Sequence, residues 1–129
     1  MHTILVVDDD PALCEVIELH LKDSGFGVLC ASGVAAAAKI IASHAFDLLL
    51  TDLLMPDQDG LELIRALRRD RPELPIVAMT GGGLLSAEVY LNIAKVFRVD
   101  GVLRKPFSMD ELISLIRRLV KETQPAAGS

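Results

Sequence analysis

Five side chains have the types and the positions to do chemistry together. Asp52 ends the apolar run "FDLLLTD" (46–52), Asp8 and Asp9 end "TILVVD" and its continuation, Thr80 ends "PIVAMT" (75–80), and Lys105 ends "GVLRK" (101–105), with Pro106 next. A carboxylate at the end of a buried apolar run is costly to desolvate unless something pairs with it. Three carboxylates supply hard anionic oxygens suited to Mg²⁺, which keeps several waters and takes few protein ligands. A lysine ammonium is a cationic point charge suited to a phosphoryl oxygen, and a threonine hydroxyl can donate a hydrogen bond. Carboxylate, divalent metal, lysine and hydroxyl make up the kit for in-line phosphoryl transfer, a step dominated by positioning and charge neutralisation. Asp52, central in the set, would be the nucleophile and would form an aspartyl phosphate.

These groups meet only if the elements that carry them end at one place. Strands are expected at 3–8, 27–31, 46–52, 75–80 and 101–105. Helices are expected from Pro11 to a stop at Gly25, over 33–44, over 59–70, over 84–99 and over about 108–122. In the first helix Leu13, Val16, Ile17 and Leu21 fall at helical spacing; in the last, Met109, Leu112, Ile113, Ile116, Leu119 and Val120 do. Ser108 with Glu111 three residues later has the spacing of a capping box. Five strand–helix pairs in strict alternation, with strands that read as continuous apolar runs, predict an α/β fold with a parallel sheet covered on both faces. Ligands of such sheets bind outside the carboxyl ends of the strands, where strand order reverses. The second strand contributes only Ala31 and Ser32 there, which places it at an edge.

The whole chain is compatible with this reading. Its 129 residues suit one domain, and 51% hydrophobic with 24% charged residues is an ordinary globular composition. No apolar run approaches the roughly 20 residues of a membrane span, and "MHTILVVDDD" lacks the basic start of a signal peptide, so a cytoplasmic location is expected. A net charge of −5 disfavours nonspecific binding to nucleic acid or anionic membrane. Cys14 and Cys30 have no CxxC spacing and are expected to be buried, reduced thiols. His2, His20 and His44 form no metal-ligand pattern and are expected to be solvated or half-buried. The end, "TQPAAGS", is small and polar, so residues 1–122 are expected to form the domain and 123–129 a disordered tail.

Taken together, "ILVVDDDP", "DLLLTDLLMPDQDG", "VAMTG" and "VLRKPF" resemble the receiver domain of two-component response regulators, in order and over about residues 3–121. The resemblance implies a doubly wound, flavodoxin-like (βα)5 fold with strand order 2-1-3-4-5, that of the CheY-like members of the family. It implies that Asp52 accepts phosphate from a sensor histidine kinase or a histidine phosphotransfer protein. Asp9, Asp52 and the backbone carbonyl of Leu54 would bind Mg²⁺ directly, and Asp8 through a water. Thr80 would be the switch hydroxyl and Lys105 would contact the phosphoryl group, with Gly81, Val102 and Pro106 completing the switch and output positions. The Lys105–Pro106 bond is a candidate cis peptide. Catalysis would be limited to the chain's own phosphorylation and dephosphorylation. The chain looks like a stand-alone member or an excised receiver, monomeric or weakly dimeric when phosphorylated.

Structural readings stand beside these. Asp8 and Asp9 alone could cap the following helix, and Asp57 and Asp59 are assigned to turn formation and capping of the helix from Gly60, with Pro56 and Gly60 shaping the loop. Phosphatases of the haloacid dehalogenase type also use a strand-end aspartate with Mg²⁺, but want a second aspartate two positions on, where this chain has Leu54. A pseudo-receiver that never takes phosphate is the other alternative. A flavin-binding module is disfavoured because no phosphate-cradling loop follows the first strand. Two features depart from the family pattern: Val102 stands where an aromatic ring usually swings, and the segment from "GGGLLSAEV" is long and glycine-rich, a loop or a lid. On the helix over 84–99, Val89, Ile93 and Val96 are expected to dock on the sheet. Tyr90, Leu91, Ala94 and Phe97 would widen the arc into a partner surface shared with the strand at Val102 and the last helix.

Overall fold

The first apolar run forms strand β1 (Thr3–Val7), and its burial explains its composition: Ile4, Leu5, Val6 and Val7 are all fully covered. A strand covered on both faces has no reason to alternate apolar with polar residues. The same holds for β3 (Leu48–Asp52) and β4 (Ile76–Thr80), buried at every position. Strands β2 (Gly27–Ala31) and β5 (Gly101–Arg104) are half-covered and lie at the edges. The computed structural model describes residues 1–55, 58–81 and 87–121. The five strands form one parallel sheet in the order β2-β1-β3-β4-β5, as expected, with Ile4 beside both Val28 and Leu48, Leu50 beside Val77, and Ala78 beside Val102.

Five helices cover the sheet: α1 (Pro11–Asp23), α2 (Val34–Ser43), α3 (Gly60–Asp70), α4 (Ala87–Phe97) and α5 (Met109–Val120). Alternate strand residues point to opposite layers. Ile4, Val6, Leu48, Leu50, Val77, Met79 and Leu103 pack with Cys14, Ile17 and Leu21 of α1 and Leu112, Ile116 and Val120 of α5. Leu5, Val7, Leu49, Ile76 and Ala78 pack with Ala37 of α2 and Leu63, Ile64 and Leu67 of α3, and Ile93, Ala94 and Phe97 of α4 close the same layer. No helix of the described residues is long and apolar enough to cross a membrane.

Helix ends follow local chemistry. Pro11 opens α1 behind Asp10, whose carboxylate accepts the N–H groups of Ala12 and Leu13 at 3.1 and 3.3 Å. Gly25 takes the left-handed conformation, φ 93°, just past the end of that helix. Ser108 caps α5 by accepting the Glu111 N–H at 3.0 Å, as its spacing predicts.

Several expectations need correction. Strand bounds shrink by a residue or two, leaving Asp8, Phe46, Asp47, Pro75 and Lys105 just outside. Helix α4 stops at Phe97 because Arg98 adopts a positive φ of 54°, and Val99 folds back into the core. Val16 is 43% exposed and Cys14 takes the buried place; at about 100° per residue Val16 lies well off the Ile17–Leu21 stripe. For the same reason Val96 and Val89, 69% and 37% exposed, fall outside the packed arc of Ile93, Phe97 and Ala94, about 60° and about 40° beyond its Ile93 edge. Sheet docking therefore belongs to those three, not to Val89 and Val96. Cys14 is buried but Cys30 is exposed, because it stands on an edge strand. The readings placed on Pro56, Asp57, Gly82, Gly83, the side chains of Asp59, Tyr90 and Leu91, and the tail 123–129 lie outside what is described.

Candidate functional site

Acidic residues occur at both rims of the sheet, and their partners separate structure from chemistry. At the amino ends, Asp47 accepts the Thr3 N–H at 2.7 Å, while Asp100 accepts the Ile76 N–H at 2.8 Å and Arg68 at 3.2 Å. Those carboxylates satisfy backbone groups and a buried guanidinium. At the carboxyl ends the carboxylates face one another and a lysine.

Asp8 follows β1 directly, and its own N–H still bonds to Ala31 of β2 at 3.1 Å. Its carboxylate is fully buried; Oδ1 accepts the Asp10 N–H at 2.9 Å and Oδ2 accepts Lys105 Nζ at 2.6 Å. Asp52, the last residue of β3, is 6% exposed and lies 3.4 Å from Lys105 Nζ. Asp9 is exposed. One carboxylate oxygen from each of Asp8, Asp9 and Asp52 lies within 4.8 Å of the others. Among the described residues no other group of three carboxylate, imidazole or thiol ligands comes this close.

Lys105 is placed by the backbone: its N–H donates to the Thr80 carbonyl at 2.8 Å, and the following bond to Pro106 is cis. Burial pulls its ammonium towards the neutral form, but the hydrogen bond and charge of Asp8, with those of Asp52, outweigh that, and its pKa is raised. Three carboxylates thus share one nearby ammonium, an arrangement that a hard divalent cation would relieve. All the donors are oxygens, as Mg²⁺ requires, so the residues present fit that ion.

Thr80 ends β4 and is 4% exposed, yet its Oγ1 has no hydrogen-bond partner among the described residues. A buried unpaired hydroxyl costs about 1–3 kcal/mol. It is a donor available to whatever enters the rim. Gly81, next in the chain, is exposed, and Val102 is half-buried against the layer that holds α4. Leu54 begins a two-residue antiparallel ladder, Leu54–Met55 with Gln58–Asp59, directly after Asp52 and Leu53.

Three features of the site are not legible in the sequence. Asp10, not Asp8 or Asp9, caps α1, which leaves the other two for the site. Gly60 is pressed against the backbone of the site: a Cβ there would collide with the Asp52 carbonyl oxygen and stand 3.1 Å from that of Leu53. Finally, Phe107 joins Asp10, Leu13, Gly81, Lys105 and Pro106 around a groove of about 510 Å³ beside the rim. The "KPF" triplet carries a signal for that groove, but only folding brings it next to α1.

Residues 4–117 match the family described as response regulator receiver domain. The chain is 37% identical over 125 residues to the response regulator MprA of Mycobacterium sp. (strain KMS), covering 97% of this chain and 53% of that protein. It is 38% identical over 122 residues to its counterpart in Mycobacterium avium (strain 104), covering 95% and 52%. The chain therefore spans about half the length of these curated relatives. The solved receiver domain of Francisella response regulator 1452 is 30% identical with a TM-score of 0.86, over 96% of this chain and all of that one. The CheY-like receiver domain protein of Methanospirillum hungatei JF-1 is 27% identical with a TM-score of 0.83, over 95% of both. Fold, site geometry and these similarities agree: the chain belongs to the CheY-like receiver domains of two-component response regulators.

Proposed function

We propose that this receiver takes a phosphoryl group onto Asp52 from a phosphohistidine of a sensor kinase or phosphotransfer protein, and so switches its contacts with a downstream protein. One observation carries the reading: Lys105 Nζ lies between the buried carboxylates of Asp8 and Asp52, at 2.6 and 3.4 Å, on a rim that also holds the Thr80 hydroxyl, unpartnered among the described residues. An Asp52 oxygen attacks phosphorus, the phosphorus–nitrogen bond of the donor breaks, and the imidazole leaves. Lys105 follows the charge onto the phosphoryl oxygens, and Thr80 donates its hydroxyl to one of them. Mg²⁺ would be held by Asp9, Asp52 and the Leu54 carbonyl, with Asp8 through water, and would neutralise charge on the transferring group. Asp8 keeps Lys105 in place before transfer.

The groove lined by Asp10, Leu13, Gly81, Lys105, Pro106 and Phe107 would receive the donor imidazole beside Lys105, whose ammonium lies 3.4 Å from Asp52. Output passes through the face of α4, β5 and α5. With Val102 in place of a swinging ring, movement of Thr80 acts on Gly81 and the segment that follows it, biasing a pre-existing equilibrium of α4. The chain acts in the cytoplasm, without direct contact to nucleic acid, as a monomer or a weak phosphorylation-dependent dimer, and catalyses nothing beyond its own phosphorylation and dephosphorylation.

The test is intact mass after incubation with acetyl phosphate and Mg²⁺. Wild type should gain one phosphoryl group and Asp52→Asn none. Equal labelling of the two would move the acceptor elsewhere, and no labelling of either would favour a pseudo-receiver.

A further inference from the structure

The two cysteines are separated by a crossover in sequence but not in space. Cys30 lies two residues after Val28 in β2, so its side chain points to the layer that Val28 joins, the one covered by α1 and α5. Cys14, on α1, belongs to the same layer and is 9% exposed. Its thiol approaches the Asp8 carbonyl at 3.4 Å, while the Asp8 N–H bonds to the carbonyl of Ala31, the residue after Cys30. Each thiol perturbs the ionisation of the other, Cys14 upward and Cys30 downward, as near neighbours do. Both line one cavity of about 530 Å³, together with Asp8, Glu15, Glu18 and Ser32. Cys30 is exposed and Cys14 is not.

We infer that Cys14 and Cys30 are an oxidant-sensitive dithiol that closes to an intramolecular disulfide between α1 and β2 when the chain meets a hydroperoxide. The accessible Cys30 sulfur attacks one peroxide oxygen, the oxygen–oxygen bond breaks, and the other oxygen leaves as water or alcohol. Cys30 is then a sulfenic acid. The Cys14 sulfur, which lines the same cavity, attacks the Cys30 sulfur; the sulfur–oxygen bond breaks and water leaves with the thiol proton. Two electrons pass from the thiols to the peroxide. Exposure makes Cys30 the attacking sulfur, and the neighbouring Cys14 thiol, which lowers the Cys30 pKa, favours the same choice. This chemistry does not depend on the phosphoacceptor reading. It would also remove the thiol contact to the Asp8 carbonyl, at the edge of the site.

The experiment exposes the full chain to hydrogen peroxide, quenches with catalase, and follows free thiols, intact mass and non-reducing peptide maps. Wild type should become a monomer lighter by two hydrogens, with the peptides of Cys14 and Cys30 linked and the change reversed by dithiothreitol. Cys14→Ala, which keeps that position apolar, should instead accumulate a Cys30 sulfenic acid trapped by dimedone. Cys30→Ser should leave Cys14 unreacted over the same time. Wild type that keeps both thiols while free glutathione is oxidised alongside would overturn the inference. So would linkage found only between chains through Cys30, or a Cys14→Ala variant that loses two hydrogens as readily as wild type.

Discussion

Lys105 stands closer to Asp8, at 2.6 Å, than to Asp52, at 3.4 Å. The lysine is thus anchored by the fully buried carboxylate and only leans on the one at the end of β3. Removing it leaves Asp8 and Asp52 facing each other with no ammonium between them.

Lys105→Ala should therefore destabilise the metal-free protein by at least about 1–3 kcal/mol, the range for a buried acceptor left unsatisfied. Saturating Mg²⁺ should recover much of that loss, because the ion supplies the missing positive charge. Thermal unfolding of both proteins with and without Mg²⁺ is the measurement. A Lys105→Ala midpoint equal to wild type in the absence of metal would contradict the anchoring role.

Metal dependence gives a second expectation. Mg²⁺ at about 100 times its dissociation constant should stabilise the native state by ~2.7 kcal/mol through mass action. Asp9 is exposed and lies within 4.8 Å of the other two carboxylates, so Asp9→Ala can remove a ligand without opening a cavity. It should abolish the Mg²⁺ response and leave the metal-free protein as stable as wild type or more so. A full Mg²⁺ response in Asp9→Ala would reassign the ligand.

The glycines on either side of the site should behave differently. Gly60→Ala drives a Cβ into the Asp52 carbonyl, so it should cost ~1–3 kcal/mol, as overpacking does, and slow phosphorylation by displacing Asp52. Gly81→Ala meets nothing within 4 Å among the described residues and should stay within about 0.5 kcal/mol of wild type. Denaturant midpoints together with acetyl-phosphate labelling rates would separate the two. Similar values for both variants would count against the close approach of α3 to the site.

Thr80 offers a fourth. Its Oγ1 is buried without a partner among the described residues, so Thr80→Val should leave the unphosphorylated protein equally or more stable. Beryllofluoride, a phosphoryl mimic, should then raise the thermal midpoint of wild type more than that of Thr80→Val. Equal increments would mean that the hydroxyl does not engage the phosphoryl group.

The sheet and most of the rim are legible in the sequence, for a physical reason. Strands buried on both faces must be apolar throughout, so β1, β3 and β4 stand out, and a polar or charged residue at the end of each stands out more. Asp8, Asp52 and Lys105 are far apart in sequence, but parallel strands bring their carboxyl ends together whatever the separation. Choosing among the three aspartates of "DDDP" is harder, since all three suit a helix start, and only the geometry gives the cap to Asp10. The inward face of α4 differs from the expected one because a helix apolar on several sides has no single stripe to read; Val96 turns outward and Phe97 inward. The meeting of Cys14 and Cys30 depends on side-chain direction across a crossover, which spacing does not encode.

The sheet sends alternate residues of each strand to two separate layers, with Val102 and α4 on one side and Cys14, Cys30 and α5 on the other. That partition makes the molecule modular under mutation. Substitutions within one layer share neighbours and should be epistatic, while pairs taken from opposite layers and well separated should combine nearly additively. A lineage can therefore vary the α4 side while the α1 side stays as it is, and the strand ends between them are where both histories must agree.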